Sequence, residues 1–331
     1  MLILGIDIGG TKTAICVGTE TGKILSSTRI PTLTGDSMEA YFRQIRGKCE
    51  ETLAQAGINL SAIDAVGISA PGPLSVSKGL LLAPPNNPGW KNVPVVNMIS
   101  EMLGRPVFMN NDANAAVLAE YFFGEFKSTD NLVYLTFSTG MGGGIIAAGR
   151  LVQGVTDMGG EVGHQTLDIN GPLCGCGRRG CFEAYVGGKN LSDRLKADIR
   201  ARNIKTLIID KAGGNIDLIT PKALAAAARE GDRFAIGEWD MFMERLAQGI
   251  GNIIMILNPE AIVLGTIAIH EGDMVMKPLR EKLPKYTWEW ALDPCKIAPS
   301  ALGVELGDLG ALAVGITGVD PSRSLNLVGR G

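Results

Sequence analysis

No apolar run in this sequence approaches the ~18 consecutive residues that a membrane-crossing helix needs; the longest stretches, such as Ile253 to Leu257, are far shorter. Met1 to Leu4 is apolar, but Asp7 interrupts it early and no basic region precedes it. No targeting segment is read there, and a cytoplasmic location is expected. A surplus of one charge sign is also missing: 31 Lys and Arg against 34 Asp and Glu give a net charge of −3. That excludes a generic electrostatic grip on nucleic acid or on an anionic membrane. Histidine is scarce, at two residues, and short-period repeats and low-complexity tracts are absent. With 46% hydrophobic and 20% charged residues, disorder is excluded. At 331 residues the chain is long enough for two domains, or one large bilobal one, and can bury roughly three quarters of its unfolded surface without disulfides. Glycine is what the chain has in excess: 44 residues, roughly 13% against a usual 7% or so. Much of it must serve tight turns and close backbone approach.

Leu2 to Val17 alternates apolar and small residues and breaks at Gly9-Gly10, which predicts two strands joined by a tight turn. A strand is expected over Lys23 to Ile30, and helical spacing runs from Met38 to Ala56, ending at Gly57 as C-cap. Ile63 to Ser69 reads as a buried strand, Pro84 to Pro94 as a loop, Val107 to Met109 as a short strand and Ala113 to Phe123 as a helix. Leu132 to Ser138 is a strand, Thr139 to Gly144 a glycine turn, and Ile145 to Ala148 resumes a strand, so a strand, glycine turn and strand occur twice. Gly159 to Gly180 is read as a loop, Pro221 to Arg229 and Asp232 to Leu257 as helices, Ala261 to Leu264 as a strand and Gly307 to Ile316 as a small-residue helix. A meander of strands followed by alternating strands and helices predicts an α/β fold with mixed sheets.

Asp7-Ile8-Gly9-Gly10-Thr11-Lys12 places an acid, two glycines, a hydroxyl and an amine within one turn. Two glycines let successive backbone N–H groups converge on an anion; Thr11 adds a hydroxyl, Lys12 a countercharge, and Asp7 can orient a hydrated Mg²⁺. A Gly-Gly dipeptide alone serves an ordinary hairpin equally well. Ser138-Thr139-Gly140-Met141-Gly142-Gly143-Gly144 is a second such turn. It is neither a Walker A loop nor a dinucleotide fingerprint, because no Gly-Lys-Ser/Thr and no helix follow. Two hairpin nests in duplicated positions suit a polyphosphate.

His164, Cys174, Cys176 and Cys181 form the closed one-imidazole, three-thiolate set of a structural Zn²⁺ site. Intervening glycines permit the turns, and clustering without a secretion signal favours a metal over disulfides. Cys16, Cys49 and Cys295 are expected in the core. Asn111-Asp112 sits where a strand meets a helix, whose N-terminus favours an ionised carboxylate. Such a group suits a general base, and equally a plain N-cap. Glu161, His164 and Glu183 flank the metal loop, where their acceptors suit a polyhydroxylated ligand, and Asn86 stands in the loop before Trp90.

Taken together, these segments resemble the ROK family of sugar kinases and sugar-responsive repressors, from Leu4 to about Val314. The carriers are Gly5 to Lys12, Ala70-Pro71-Gly72-Pro73, Pro85 to Trp90, Asn111 to Ala115, Thr139 to Gly144, Gly160 to His164 and Cys174 to Glu183. The resemblance implies a two-lobed ribonuclease H-like fold, of the actin, Hsp70 and hexokinase kind, with an interdomain cleft. It implies an N-terminal lobe over 1–115, a larger lobe over 116–304 with the zinc loop at 159–183, and a helix over 305–320 returning to the first lobe. Asp112 matches the catalytic base. Gly72, Asn86, Asn111, Asp112, Glu161, His164 and Glu183 match sugar-binding positions. Asp7, Gly9, Gly10, Thr11 and Lys12, with Thr139, Gly140 and Gly142, match the phosphate turns, and Gly265 the adenosine-side motif. There the family usually continues with further glycines, whereas Thr266-Ile267 follow here.

The resemblance therefore implies a kinase using ATP and Mg²⁺, carrying structural Zn²⁺, and transferring phosphate to the 6-hydroxyl of a hexose, glucose first. A homodimer is expected, with no nucleic-acid or membrane partner. The alternatives are an N-acetylmannosamine or N-acetylglucosamine kinase, then a fructokinase or mannose kinase, and outside enzymes a sugar-responsive regulator. Regulators of this type carry a helix-turn-helix domain before the first glycine turn, and four residues precede Gly5 here.

Overall fold

A computed structural model describes residues 1–32, 38–83 and 89–320. Along the chain lie β1 (Leu2–Ile8), β2 (Lys12–Thr19), β3 (Ile24–Pro31), α1 (Met38–Ala56), β4 (Ala65–Ala70), β5 (Leu74–Ser75), β6 (Leu80–Leu81), α2 (Val95–Leu103), β7 (Val107–Asn111) and α3 (Asp112–Phe123). They are followed by β8 (Leu132–Phe137), β9 (Met141–Ala147), β10 (Arg150–Leu151), α4 (Phe182–Val186), α5 (Gly188–Arg202), α6 (Leu207–Lys211), α7 (Pro221–Arg229) and α8 (Arg233–Leu257). The rest are β11 (Ala261–Leu264), α9 (Ile267–Glu271), α10 (Asp273–Lys282), α11 (Glu289–Leu292), β12 (Lys296–Pro299) and α12 (Leu306–Val319). One five-stranded sheet has the order β3-β2-β1-β4-β7 and another β10-β9-β8-β11-β12. Among the described residues no helix is long and apolar enough to cross a membrane.

The chain divides into two compact units. The first holds Met1–Tyr134, Gly144–Gly160 and the chain from Ser300 onward, and the second holds Leu135–Gly143 and Glu161–Pro299. In the first unit, alternation along β1 decides which layer each residue joins. Leu4, Ile6 and Ile8 share a core with Tyr41, Phe42, Ile45, Cys49 and Leu53 of α1 and with Val95 and Ile99 of α2. The opposite face carries Ile3, Cys16 and Ala65, packed on Leu309, Leu312 and Ile316 of α12. Small residues bring α12 down onto this face: a methyl added to Gly5 would stand 3.1 Å from the Ala311 Cβ and 2.7 Å from the Cys16 Sγ.

In the second unit, α8 is the central support. Asp232 caps it, its Oδ1 accepting from the Ala235 N–H at 2.7 Å, and Thr220 caps α7 with Pro221 in the first turn. Phe182, fully buried, packs directly over Gly249 of α8, where any side chain would displace its ring.

Two expectations need correction. Gly142 to Gly144 belong to β9 rather than to a turn, and the connecting turn is confined to Ser138-Thr139-Gly140. The glycines read as turn formers, but a side chain at Gly144 would collide with the Ala113 carbonyl and Val117 of α3, so close packing explains that glycine. The helix after β7 starts at Asp112, one residue early, and its cap is Asn111. Cys16, Cys49 and Cys295 are buried as expected.

Candidate active site and metal centre

The first glycine turn connects β1 to β2 and is pinned from below. The Thr32 hydroxyl donates to the Gly9 carbonyl at 2.8 Å, and the Thr32 N–H to the Thr11 carbonyl at 3.0 Å. The Thr13 hydroxyl, buried in the same place, contacts Thr32 at 2.9 Å and the Tyr41 hydroxyl at 2.5 Å. Gly9 N donates to the Lys12 carbonyl at 2.9 Å, and a methyl on Gly9 would stand 2.7 Å from that oxygen, so Gly9 is required by the turn itself. Thr11 and Lys12 project into solvent.

Asp7 lies in a polar row across the sheet. Register pairs Asp7 with Ala14 on β2, Ala14 with Arg29 on β3, Asp7 with Ser69 on β4, and Ser69 with Asn110 on β7, so these residues share one face. The Ser69 hydroxyl donates to the Asp7 Oδ1 at 2.7 Å, while the other oxygen faces Gly307, where a methyl would stand 2.5 Å away. Asp308 is buried and accepts from Arg29 at 2.9 Å and from Ser27 at 2.9 Å. Burial pushes the Asp7 carboxyl up, opposed by the Ser69 hydrogen bond, and the Asp308 charge pushes it further. Arg29 and Lys12 offset part of that rise, and a buried carboxylate oxygen is the donor type that suits a hard, hydrated cation such as Mg²⁺.

A stability consequence follows from the direction of that shift. The fold holds the Asp7 proton more tightly than the unfolded chain does. This group therefore favours folding at low pH, and its contribution is lost as pH rises through the raised folded value. Asp7→Asn is expected to raise the thermal midpoint at neutral pH. A melting scan in which the variant is less stable at pH 7 and gains nothing relative to wild type would contradict it.

At the start of α3, Asn111 is buried and takes the capping role, its Oδ1 accepting from the Asn114 N–H at 2.6 Å. Asp112 follows as the first helical residue, exposed, with its Oδ1 2.8 Å from the Ala113 N–H. Gly72 has open space beside it. Asn86 lies outside the described residues.

The second unit holds the other candidates. The Ser138 and Thr139 carbonyls accept from the Gly188 and Lys189 N–H groups, each at 2.9 Å, so α5 backs the second turn. The Glu183 Oε2 accepts from the Met141 N–H at 2.9 Å, and a methyl on Gly140 would stand 2.5 Å from that oxygen. Glu183 thus joins the turn to the metal loop, since its Oε1 is 3.5 Å from the Cys174 Sγ. Gly265 ends β11, its N–H donating to the Leu135 carbonyl at 2.8 Å. Thr266 follows at φ +44° and ψ −95°, a conformation costly for a β-branched residue, with its hydroxyl 3.1 Å from that of Thr136.

His164, Cys174, Cys176 and Cys181 bring one donor atom each to within 4.8 Å of one another. The Cys176 and Cys181 sulfurs are 3.6 Å apart, and the Cys174 sulfur is 3.8 Å from the His164 Nδ1. A tetrahedral ion with bonds of about 2.3 Å to sulfur sets its ligands ~3.8 Å apart, so the donor set fits zinc. The His164 Nε2 points the other way, 3.9 Å from the Glu161 Oε2. One imidazole can therefore serve the metal with one nitrogen and an oxygen-rich ligand with the other. Burial pushes the Cys174 thiol up to about 12, whereas the Arg178 backbone N–H holds the exposed Cys176 down to about 7. Bracing from α8 holds the loop's base: Gln248 donates to the Leu167 carbonyl at 3.2 Å and Asn252 to Gln165 at 3.0 Å.

The family model for the ROK family matches residues 3–317. This chain belongs to the ROK family. It is 34% identical over 312 residues to a glucokinase of Thermotoga maritima, covering 94% of this chain and 96% of that one. The crystal structure of a ROK family glucokinase from Streptomyces griseus in complex with glucose and AMPPNP superposes with a TM-score of 0.77 at 31% identity. That match covers 96% of this chain and 100% of that one. A xylose repressor of Caldicellulosiruptor bescii is 29% identical over 317 residues, covering 95% of this chain and 78% of the repressor. The fold of this ROK protein is accordingly that of the actin- and hexokinase-like sugar kinases, an α/β architecture with mixed sheets.

Sequence reasoning did not find Ser69, Arg29, Asp308 or the backing of the second turn by α5. Arg29 and Asp308 are 279 residues apart; the one available signal was a lone acid inside the otherwise apolar Leu306 to Val319 segment.

Proposed function

We propose that this ROK protein transfers the γ-phosphate of ATP to the 6-hydroxyl of a hexose, with glucose the preferred acceptor. The observation that carries the reading is the division of roles at the start of α3. Asn111 supplies the cap, so the neighbouring exposed carboxylate of Asp112 stands at the positive end of a helix without being the capping group. Similarity to glucokinases supports glucose as the sugar.

In this reading Asp112 accepts the proton of the 6-hydroxyl as that oxygen bonds to the γ-phosphorus and the bond to the ADP oxygen breaks. Gly72, Asn86, Asn111, Glu161, His164 and Glu183 are assigned to the sugar. Backbone N–H groups of Gly10 and Thr11 and of Thr139, Gly140 and Gly142, with Lys12, meet the phosphate charge, while those of Gly9 and Met141 hold the two turns in shape. Gly265 is assigned to the adenosine side. Mg²⁺ supplies further charge neutralisation when bound, and Asp7 is the residue to orient its hydration shell. Zn²⁺ on His164, Cys174, Cys176 and Cys181 has four protein ligands and is structural.

Coupled ADP release, measured over glucose, mannose, fructose, N-acetylmannosamine, N-acetylglucosamine and xylose, tests the reading. Turnover highest with glucose and dependent on Mg²⁺ is expected. Sugar binding without ADP release would favour a regulator instead, the role the similarity to the xylose repressor supports. Gly10→Val is expected to raise the KM for ATP by roughly tenfold or more, since a branched side chain would stand where the phosphate approaches, with sugar affinity unchanged. Unaltered nucleotide kinetics would remove the first turn from the site.

A further inference from the structure

Asp157 makes a set of bonds that the proposed chemistry does not use. A single carboxylate oxygen, Oδ2, accepts from the Val76 N–H at 2.9 Å, the Ser75 hydroxyl at 3.1 Å, the Ser77 N–H at 3.4 Å and the Ser77 hydroxyl at 3.4 Å. All four donors are some 80 positions away in the chain and belong to the first unit, as Asp157 does. Asp157 has φ +62°, a left-handed conformation in a non-glycine residue, and it sits in a loop closed at its base by the Gly159 N–H on the Gln153 carbonyl at 2.7 Å. One end of this contact, Ser75, is three residues after Gly72, and the other end is four residues before Glu161. Both flanking residues are assigned above to the sugar.

We infer that Asp157 is a positioning residue for sugar binding: its carboxylate latches the Ser75–Ser77 turn and so fixes in advance the two segments that lead to Gly72 and Glu161. This rests on the sugar-kinase reading. Ordering two loops during binding costs affinity, and a latch that orders them beforehand removes that cost. Asp157 has no assigned part in phosphoryl transfer, so its loss acts on the sugar KM and spares kcat.

The test uses the full chain in four variants: Asp157→Ala, Asp157→Asn, the double variant Ser75→Ala/Ser77→Ala and the triple variant that combines it with Asp157→Ala. Calorimetric glucose affinity, kinetics and hydrogen exchange over residues 74–81 and 152–160 are measured together. Asp157→Ala is expected to weaken glucose binding and raise its KM by roughly tenfold, with kcat changed less than about twofold and exchange faster in both segments. Asp157→Asn, which keeps an acceptor oxygen and tolerates positive φ, is expected to recover part of the loss. Combining Asp157→Ala with the serine substitutions should add little, because Asp157→Ala already removes the two bonds that the serine hydroxyls make to it. Unchanged exchange, or a glucose affinity equal to wild type in Asp157→Ala, overturns the latch. Additive losses overturn it as well. Wild-type protein with no affinity for any hexose overturns the kinase reading, and the positioning role falls with it.

Discussion

Asp112→Asn is expected to leave the fold, the metal content and much of the sugar affinity in place while kcat falls by about 10² to 10⁴-fold. The 6-hydroxyl of a sugar is a poor nucleophile at neutral pH, and a carboxylate at hydrogen-bond distance gains that factor by taking its proton during attack. An amide of the same shape keeps one acceptor oxygen and loses the basicity. The substitution is structurally mild: Asp112 is exposed, and the capping bond to the Asn114 N–H comes from Asn111. The loss should therefore appear in kcat and kcat/KM together, as for a group whose interaction matters in the transition state. Steady-state kinetics beside a melting curve check this. A variant with near-wild-type turnover, or one that loses activity only by unfolding, would contradict the assignment.

The second large effect is expected at the metal centre. Cys176→Ser should reduce zinc from one per chain to a small residual, with activity falling by roughly 10- to 100-fold, the range seen when the surroundings of a metal site are altered. Cys174 and Cys181 are buried, and the Cys174 sulfur lies 3.5 Å from the Glu183 Oε1. Slackness in the loop therefore passes to Glu183, which holds the Met141 N–H of the second glycine turn. The loop's base should survive, since Gln248 and Asn252 of α8 hold it independently of any metal. Zinc binding releases thiol protons, so metal affinity should fall as the pH falls. Metal analysis across pH and of the variant checks the prediction. Full zinc content in Cys176→Ser would remove it from the ligand set.

Local signals in the sequence carried much of this site. Periodicity and capping placed α1 over Met38–Ala56 and α7 over Pro221–Arg229 as they stand in the structure, because propensity, pattern and tertiary burial agree there. The cluster of His164, Cys174, Cys176 and Cys181 was legible because spacing along one loop suffices to bring four donor atoms together. Glycine was the ambiguous letter: Gly142 to Gly144 look like a turn but lie in β9, where Gly144 admits α3. Whether Asp112 or Asn111 would cap α3 also had to await the backbone, since both residue types favour that position. The Asp7, Ser69, Arg29 and Asp308 group was invisible for another reason. Each member lies on a different strand or helix, and strand register, unlike spacing along one loop, joins residues far apart in sequence.

The phosphorus-31 spectrum of the product formed from glucose, ATP and Mg²⁺ tests the account most directly, because it reports both transfer and the oxygen that received it. The account predicts a single new phosphomonoester, coupled to the C6 protons, appearing in step with ADP. Phosphate on the anomeric oxygen, or no phosphosugar while glucose binds, would contradict it.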